Sequence, residues 1–219
     1  MSENPTNRGG YLGFMLVGIT GGIGSGKSAF SGLLVDRGAL GVDADLVARE
    51  VADDPAVIQQ LQETFGEDLL DNEGTLDRRE LGRRAFVSDQ GSQRLEEIMR
   101  PPLAHAIWRK LEQALQSAGS GVVVFDASLI YEWGSGARFD RVVVVDADEE
   151  IRVARALARG GLQEAEIRER MARQMDPSEK KARADYVVDN NGNLSDLAVQ
   201  ANRLWGELTL AAKESKQWG

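Results

Sequence analysis

Gly21-Gly22-Ile23-Gly24-Ser25-Gly26-Lys27-Ser28 satisfies the pattern G-x-x-x-x-G-K-[ST] in full. The glycines tolerate positive φ and let backbone N–H groups turn inward, where they can surround phosphate oxygens. The short apolar run Phe14-Met15-Leu16-Val17-Gly18-Ile19 comes before the loop and predicts a buried strand. From Lys27 onward the spacing of Phe30, Leu33 and Leu34 predicts a helix, with Gly38 past its end. A glycine-rich turn between a buried strand and a helix start is the context this motif requires, since the helix N-terminus favours anions. The expected ligand of Gly22, Ile23, Gly24, Ser25, Gly26, Lys27 and Ser28 is therefore ATP. Lys27 reaches the β- and γ-phosphates, and the Ser28 hydroxyl ligates Mg²⁺.

The rest of the chain extends the pattern. Residues 39–42 form a weak second strand candidate before Asp43-Ala44-Asp45. Residues 46–116 read as mostly helical and charged, interrupted at Asp53-Asp54-Pro55, at residues 71–74 and at Arg100-Pro101-Pro102. The β-branched runs at 122–125 and 141–145 each lead into an aspartate, Asp126 and Asp146. Their continuous apolarity predicts strands covered on both faces of a parallel sheet. Residues 149–174 predict an arginine-rich helix broken at Gly160-Gly161, residues 184–188 a last strand, and residues 194–213 a last helix. Strands alternating with helices predict an α/β fold with a doubly wound parallel sheet.

The 219 residues suit one core with insertions better than two independent domains. Residues 1–13 read as a polar, disordered leader, and residues 14–219 as the domain. With 35 acidic against 26 basic residues, the net charge of −9 disfavours nucleic acid and anionic lipid as main partners. The absence of cysteine excludes disulfides, thiolate metal sites and cysteine nucleophiles. No apolar run approaches a membrane span and no signal peptide is visible, so the default expectation is a soluble cytoplasmic protein. Nothing here bears on oligomeric state.

A phosphate-binding loop alone does not separate a kinase from a GTPase or an ATP-driven machine. A small-molecule kinase needs a carboxylate beside the acceptor hydroxyl to take its proton. Asp43 and Asp45, two apart on a segment read as extended, would point into one site; the bland alternative is a helix N-cap and a solvated acid. Asp126 stands where a strand-end aspartate would hold the magnesium shell, or would simply end the strand. Arg152, Arg155 and Arg159 fall on one helical stripe before Gly160-Gly161 and could close over phosphates as a lid. Alternatively, they form a solvated face paired with Glu149, Glu150 and Glu164. Arg78-Arg79 and Arg83-Arg84 make a second basic cluster, suited to acceptor phosphates or to surface ion pairs. His105, the only histidine, has no assigned role.

The order of motifs resembles the dephospho-CoA kinase family. The resembling stretches are residues 18–28, Val42-Asp43-Ala44-Asp45 with Ala48-Arg49, residues 74–81, and Leu95-Glu96-Glu97-Ile98 before Pro101. Ser128-Leu129-Ile130-Tyr131-Glu132, Val145-Asp146, Arg155-x-x-x-Arg159, Gln174, Ala184-Asp185 and Asp189-Asn190-Asn191-Gly192 complete the set. The resemblance implies a P-loop kinase with a helical acceptor-binding insertion at 46–116 and a small lid at about 149–180. It implies transfer of phosphoryl from ATP to the ribose 3′-hydroxyl of dephospho-coenzyme A. Asp45 would be the base, with Asp43 nearer the magnesium and Asp126 also on the metal side. Lys27, Arg155 and Arg159 would complete the catalytic set. Asn190 would lie against adenine, and Arg78, Arg100 and Glu132 would face the acceptor. The family usually carries His-Pro at Arg100-Pro101 and Pro-Leu-Leu at Ser128-Leu129-Ile130, so the acceptor side is where this chain departs. The other readings are a kinase for another nucleotide or metabolite, and a nucleotide-binding regulator without catalysis.

Overall fold

The computed structural model describes residues 14–71 and 73–217; the expected leader at 1–13 lies outside them. Five strands form one sheet: β1 (Met15–Thr20), β2 (Leu40–Asp43), β3 (Val122–Asp126), β4 (Arg141–Asp146) and β5 (Tyr186–Asp189). Their order is β2-β3-β1-β4-β5, with β1 parallel to both β3 and β4, and β4 parallel to β5. β1 thus lies between strands reached in opposite directions along the sheet, and such a switch point opens a crevice beyond the carboxyl ends of the strands. The described residues divide into two compact units, one of residues 14–42 with 113–217, the other within Asp43–Glu112.

In the first unit the continuous apolar runs are covered on both faces, as expected of parallel strands. On one face Val17, Ile19, Val122, Val124, Val143 and Val145 pack with Phe30 and Leu34 of α1 (Lys27–Val35) and with Leu197, Ala201 and Leu204 of the last helix. On the other face a side chain at Gly18 would press within 3.0 Å of Ile130 and Phe139, so that position needs glycine. Phe139 stacks on Phe125 at 5.6 Å between ring centroids.

The second unit is helical. It holds α2 (Ala44–Ala52), α3 (Pro55–Phe65), α4 (Arg78–Ala85) and most of α5 (Asp89–Ser117). Asp43, Asp54 and Asp77 each accept backbone N–H bonds at the starts of the first three. Two expectations need correction. The interruption at Arg100-Pro101-Pro102 is absent, and α5 runs through both prolines. Each proline costs one N–H bond but keeps a helical φ, and a helix of 29 residues absorbs that loss. Nor is Asp43-Ala44-Asp45 extended, because α2 starts at Ala44.

The arginine-rich region forms α6 (Glu149–Ala158), α7 (Glu164–Ala172) and α8 (Pro177–Arg183). The break falls at Gly160-Gly161 as expected, both with positive φ. After β5, α9 (Leu194–Gln217) closes the chain. Among the described residues, no helix is long and apolar enough to cross a membrane.

Candidate active site

The loop leaves β1 at Thr20, and α1 begins at Lys27 with Gly26 in the left-handed region, φ 88°. Gly24 is also left-handed, at φ 77°. Both glycines are additionally crowded: a Cβ on Gly24 would overlap the Arg152 carbonyl, and one on Gly26 would overlap the Asn190 amide. The loop is therefore shaped by neighbours on both sides as well as by its own φ angles.

Those neighbours come from α6, from the turn between α7 and α8, and from just beyond β5. Gln174 Oε1 accepts from the Ile23 N–H at 3.0 Å. Asn190, buried just beyond β5, donates through Nδ2 to the Ser25 carbonyl at 2.7 Å. Lys27 Nζ stands 2.8 Å from Asp126 Oδ1 at the end of β3, outside hydrogen-bond geometry. Ser28, in the first turn of α1, is exposed. The loop lysine and the strand-end aspartate thus meet, and Ser28 follows the lysine in sequence.

The three arginines of α6 do not share one environment. Arg152 is buried at 7% exposure, with Nε lacking any hydrogen-bond partner. A Cβ on Gly22 would overlap its Nη1, so the guanidinium lies against the opening of the loop. Arg155 is half-buried, with Nη1 unpartnered and 4.0 Å from a Cβ built on Gly26. Arg159 is exposed and ends the helix. The acids expected to neutralise this stripe are engaged elsewhere: Arg168 pairs with Glu149 at 2.8 Å, Glu150 at 3.0 Å and Glu164 at 2.9 Å. The Glu164 and Glu150 carboxylates push the Arg168 pKa up.

Glu132 has an internal partner. Its Oε1 lies 2.7 Å from the fully buried Lys180 Nζ and accepts from Met175 N–H at 3.1 Å, while Oε2 is buried without a partner. Lys180 also donates to the Ser128 carbonyl at 2.9 Å. Arg183 lies over the Tyr131 ring, 5.9 Å from its centroid. The segment after β3 is thereby fastened to α8.

The remaining candidates belong to the second unit. Asp43 Oδ1 accepts from the N–H groups of Asp45 at 2.7 Å and Leu46 at 3.2 Å, as a helix N-cap does. Asp45 is exposed in the first turn of α2. Arg78 donates to Asp53 at 2.6 Å and to the Arg49 carbonyl at 3.2 Å. Arg84 holds Asp68 and Glu80; the pairing lowers the Asp68 carboxyl pKa to about 2, and Arg83 followed by Arg84 lowers that of Glu80 to about 2. Arg100 is exposed and 3.3 Å from Glu96.

A model of the dephospho-CoA kinase family matches residues 15–196, a span that includes all of these groups. The chain belongs to the dephospho-CoA kinase family. A dephospho-CoA kinase of Corynebacterium glutamicum is 43% identical over 194 residues, 88% of this chain and 96% of its own. One of Anaeromyxobacter dehalogenans is 41% identical over 195 residues, covering 88% and 92%. Among solved structures, a protein of Thermus thermophilus superposes with a TM-score of 0.75 at 33% identity, over 89% of this chain and 98% of that one. The dephospho-CoA kinase of Campylobacter jejuni shares the fold, with a TM-score of 0.68 at 24% identity over 90% and 98%.

For a dephospho-CoA kinase, the loop surroundings hold more than its motif residues reveal. Gln174 entered the sequence reading only through the resemblance, and Arg152 only as part of a stripe. Lys180 gave no sign at all. Each is set by tertiary packing, which residue spacing does not encode.

Proposed function

We propose that the protein transfers the γ-phosphoryl group of ATP to the ribose 3′-hydroxyl of dephospho-coenzyme A, giving coenzyme A and ADP. The observation that carries this reading is the family match over residues 15–196, which takes in the loop, Asp43, Asp45 and the lid arginines together. Residues 21–28 bind the phosphates through backbone N–H groups, with Lys27 on the outer phosphates. Lys27 rests on Asp126. Moving from that carboxylate to a phosphate exchanges one anion for another, so the cation is never left uncompensated in a site that is nearly closed.

Magnesium fits these residues. Asp126 Oδ1 is a buried oxygen without a hydrogen bond, and Ser28 offers a hydroxyl at the loop's end. Among the described residues no group of three or more acidic or histidine side chains could hold a metal ion. Few protein ligands suit Mg²⁺, which keeps waters and takes substrate phosphates. Ser28 and Asp126 would hold it, with Asp43 the further candidate. Bound, it would neutralise phosphate charge.

Asp45 accepts the proton of the acceptor hydroxyl. Its carboxylate is exposed and is held by the first turn of α2, whose start Asp43 caps. Arg155 and Arg159 offset charge on the transferring group, and Arg78, Arg100 and Glu132 are the acceptor-side residues. Because Glu132 already binds Lys180 and Met175, its effect on the acceptor is to shape the segment 128–132. Positioning and charge supply most of the acceleration, since phosphoryl transfer asks for little covalent chemistry.

An acceptor analogue lacking the ribose 3′-hydroxyl tests the site of transfer. It should compete with dephospho-coenzyme A yet receive no phosphoryl group. Phosphorylation of that analogue would move the reaction to another hydroxyl.

A further inference from the structure

A cavity of about 330 Å³ opens beside Gly22, between the end of β4 and helices α6, α7 and α8. Six charged residues line it: Asp146, Glu149, Arg152, Arg168, Asp176 and Lys180. Five of them have identified partners. Asp146 pairs with Lys181 at 2.7 Å, Glu149 with Arg168 at 2.8 Å, and Lys180 with Glu132 at 2.7 Å. Asp176 caps α8 through the Ser178 N–H at 2.8 Å. Arg152 is the exception: it is nine-tenths buried, and its Nε has no hydrogen-bond partner.

A buried guanidinium nitrogen without an acceptor is costly, because Nε gives up hydration and gains no hydrogen bond. Such a group persists where a ligand supplies the missing acceptor. Arg152 lies against Gly22, the second residue of the loop. Lys27, at the helix end of the loop, reaches the β- and γ-phosphates, and Arg152 stands at the loop's opening, where it can meet the terminal phosphoryl group from the other side. Gln174, bonded to the Ile23 N–H, fixes those opening residues from the same side. A planar guanidinium can meet a phosphoryl group through two N–H donors at once.

We propose that Arg152 is a phosphate-binding residue that receives the terminal phosphoryl group of ATP in this cavity, and so distinguishes ATP from ADP. The proposal rests on the reading that residues 21–28 bind ATP. It gives the terminal phosphoryl group a second cation, opposite Lys27, which stands against Asp126.

The test is calorimetric titration of the full chain with ATP·Mg²⁺ and with ADP·Mg²⁺, without acceptor, in wild type, Arg152→Gln and Arg152→Met. Two replacements guard against one failing to fold. In either variant ATP affinity should fall about tenfold or more, the worth of a charge-assisted hydrogen bond, while ADP affinity is unchanged. The ligand-free variants should melt no lower than wild type, since they lose a buried donor that has no acceptor. Equal weakening of ATP and ADP, together with a lower melting temperature, would make Arg152 a strut for the loop and overturn the proposal. Unchanged binding of both nucleotides would overturn it too, while leaving the loop's own role intact. A wild-type protein that binds neither nucleotide would remove the loop reading and the proposal with it.

Discussion

The side-chain amide of Asn190 donates to the backbone carbonyl of Ser25 across 2.7 Å, so the end of β5 holds the middle of the phosphate loop. The bond is buried and joins residues 165 apart in the chain. Asn190→Ala should weaken ATP binding by loosening the loop, and should cost about 1–3 kcal/mol of stability because a buried carbonyl loses its donor. Urea unfolding and nucleotide titration check the two effects. Weaker ATP binding with unchanged stability would instead favour a direct contact between Asn190 and the nucleotide.

Lys27→Ala should lower turnover on the order of a hundred- to a thousand-fold, as loss of one preorganised cation does. It also leaves Asp126, 3% exposed, without its cation. The variant should therefore melt below wild type, and adding Asp126→Asn should recover part of the loss. Steady-state rates and melting curves of the single and double variants separate the catalytic effect from the structural one.

Asp43 and Asp45 are separable because only one of them caps a helix. Asp43→Asn keeps an oxygen for the Asp45 and Leu46 N–H groups, whereas Asp43→Ala should lose about 1 kcal/mol. A fall in activity of Asp43→Asn at unchanged stability would mark the charge of that carboxylate as functional. Asp45→Asn, at an exposed position, should lower kcat on the order of a hundredfold or more while leaving ATP affinity and melting temperature alone. A wild-type rate would remove Asp45 as the base.

Asp140 predicts a pH dependence of stability. Burial pushes its carboxyl pKa up to about 6 from 3.8, against the opposing pull of the Leu16 N–H and of Arg141. Because the folded value exceeds the unfolded one, its stabilising contribution is full below the unfolded pKa and is lost as pH rises through about 6. Asp140→Asn keeps an acceptor for Leu16 and removes the ionisation. The variant should therefore gain on wild type between pH 4 and pH 7 in thermal melts. Parallel curves across that range would contradict the assignment.

The sheet could be read from the chain because its strands are covered on both faces, so β1, β3 and β4 appear as unbroken apolar runs next to turn residues. The loop could be read because its chemistry fixes its spelling. The reading failed where local preference met a competing demand. Asp45 was placed with Asp43 on an extended segment, yet Asp43 ends β2 and caps α2, so the chain is already helical at Asp45. Pro101 and Pro102 looked like a break, yet α5 continues through them. Arg152, Arg155 and Arg159 share a spacing but not an environment, since the packing of α6 on the loop buries the first and leaves the last in solvent. That difference is a tertiary fact, and no periodicity carries it.

The most direct measurement is ADP release from ATP·Mg²⁺ with and without dephospho-coenzyme A, with the acceptor's mass determined after the reaction. The account predicts ADP that depends on the acceptor and a product heavier by one phosphoryl group. ADP formed regardless of the acceptor, or none formed while ATP still binds, would contradict it.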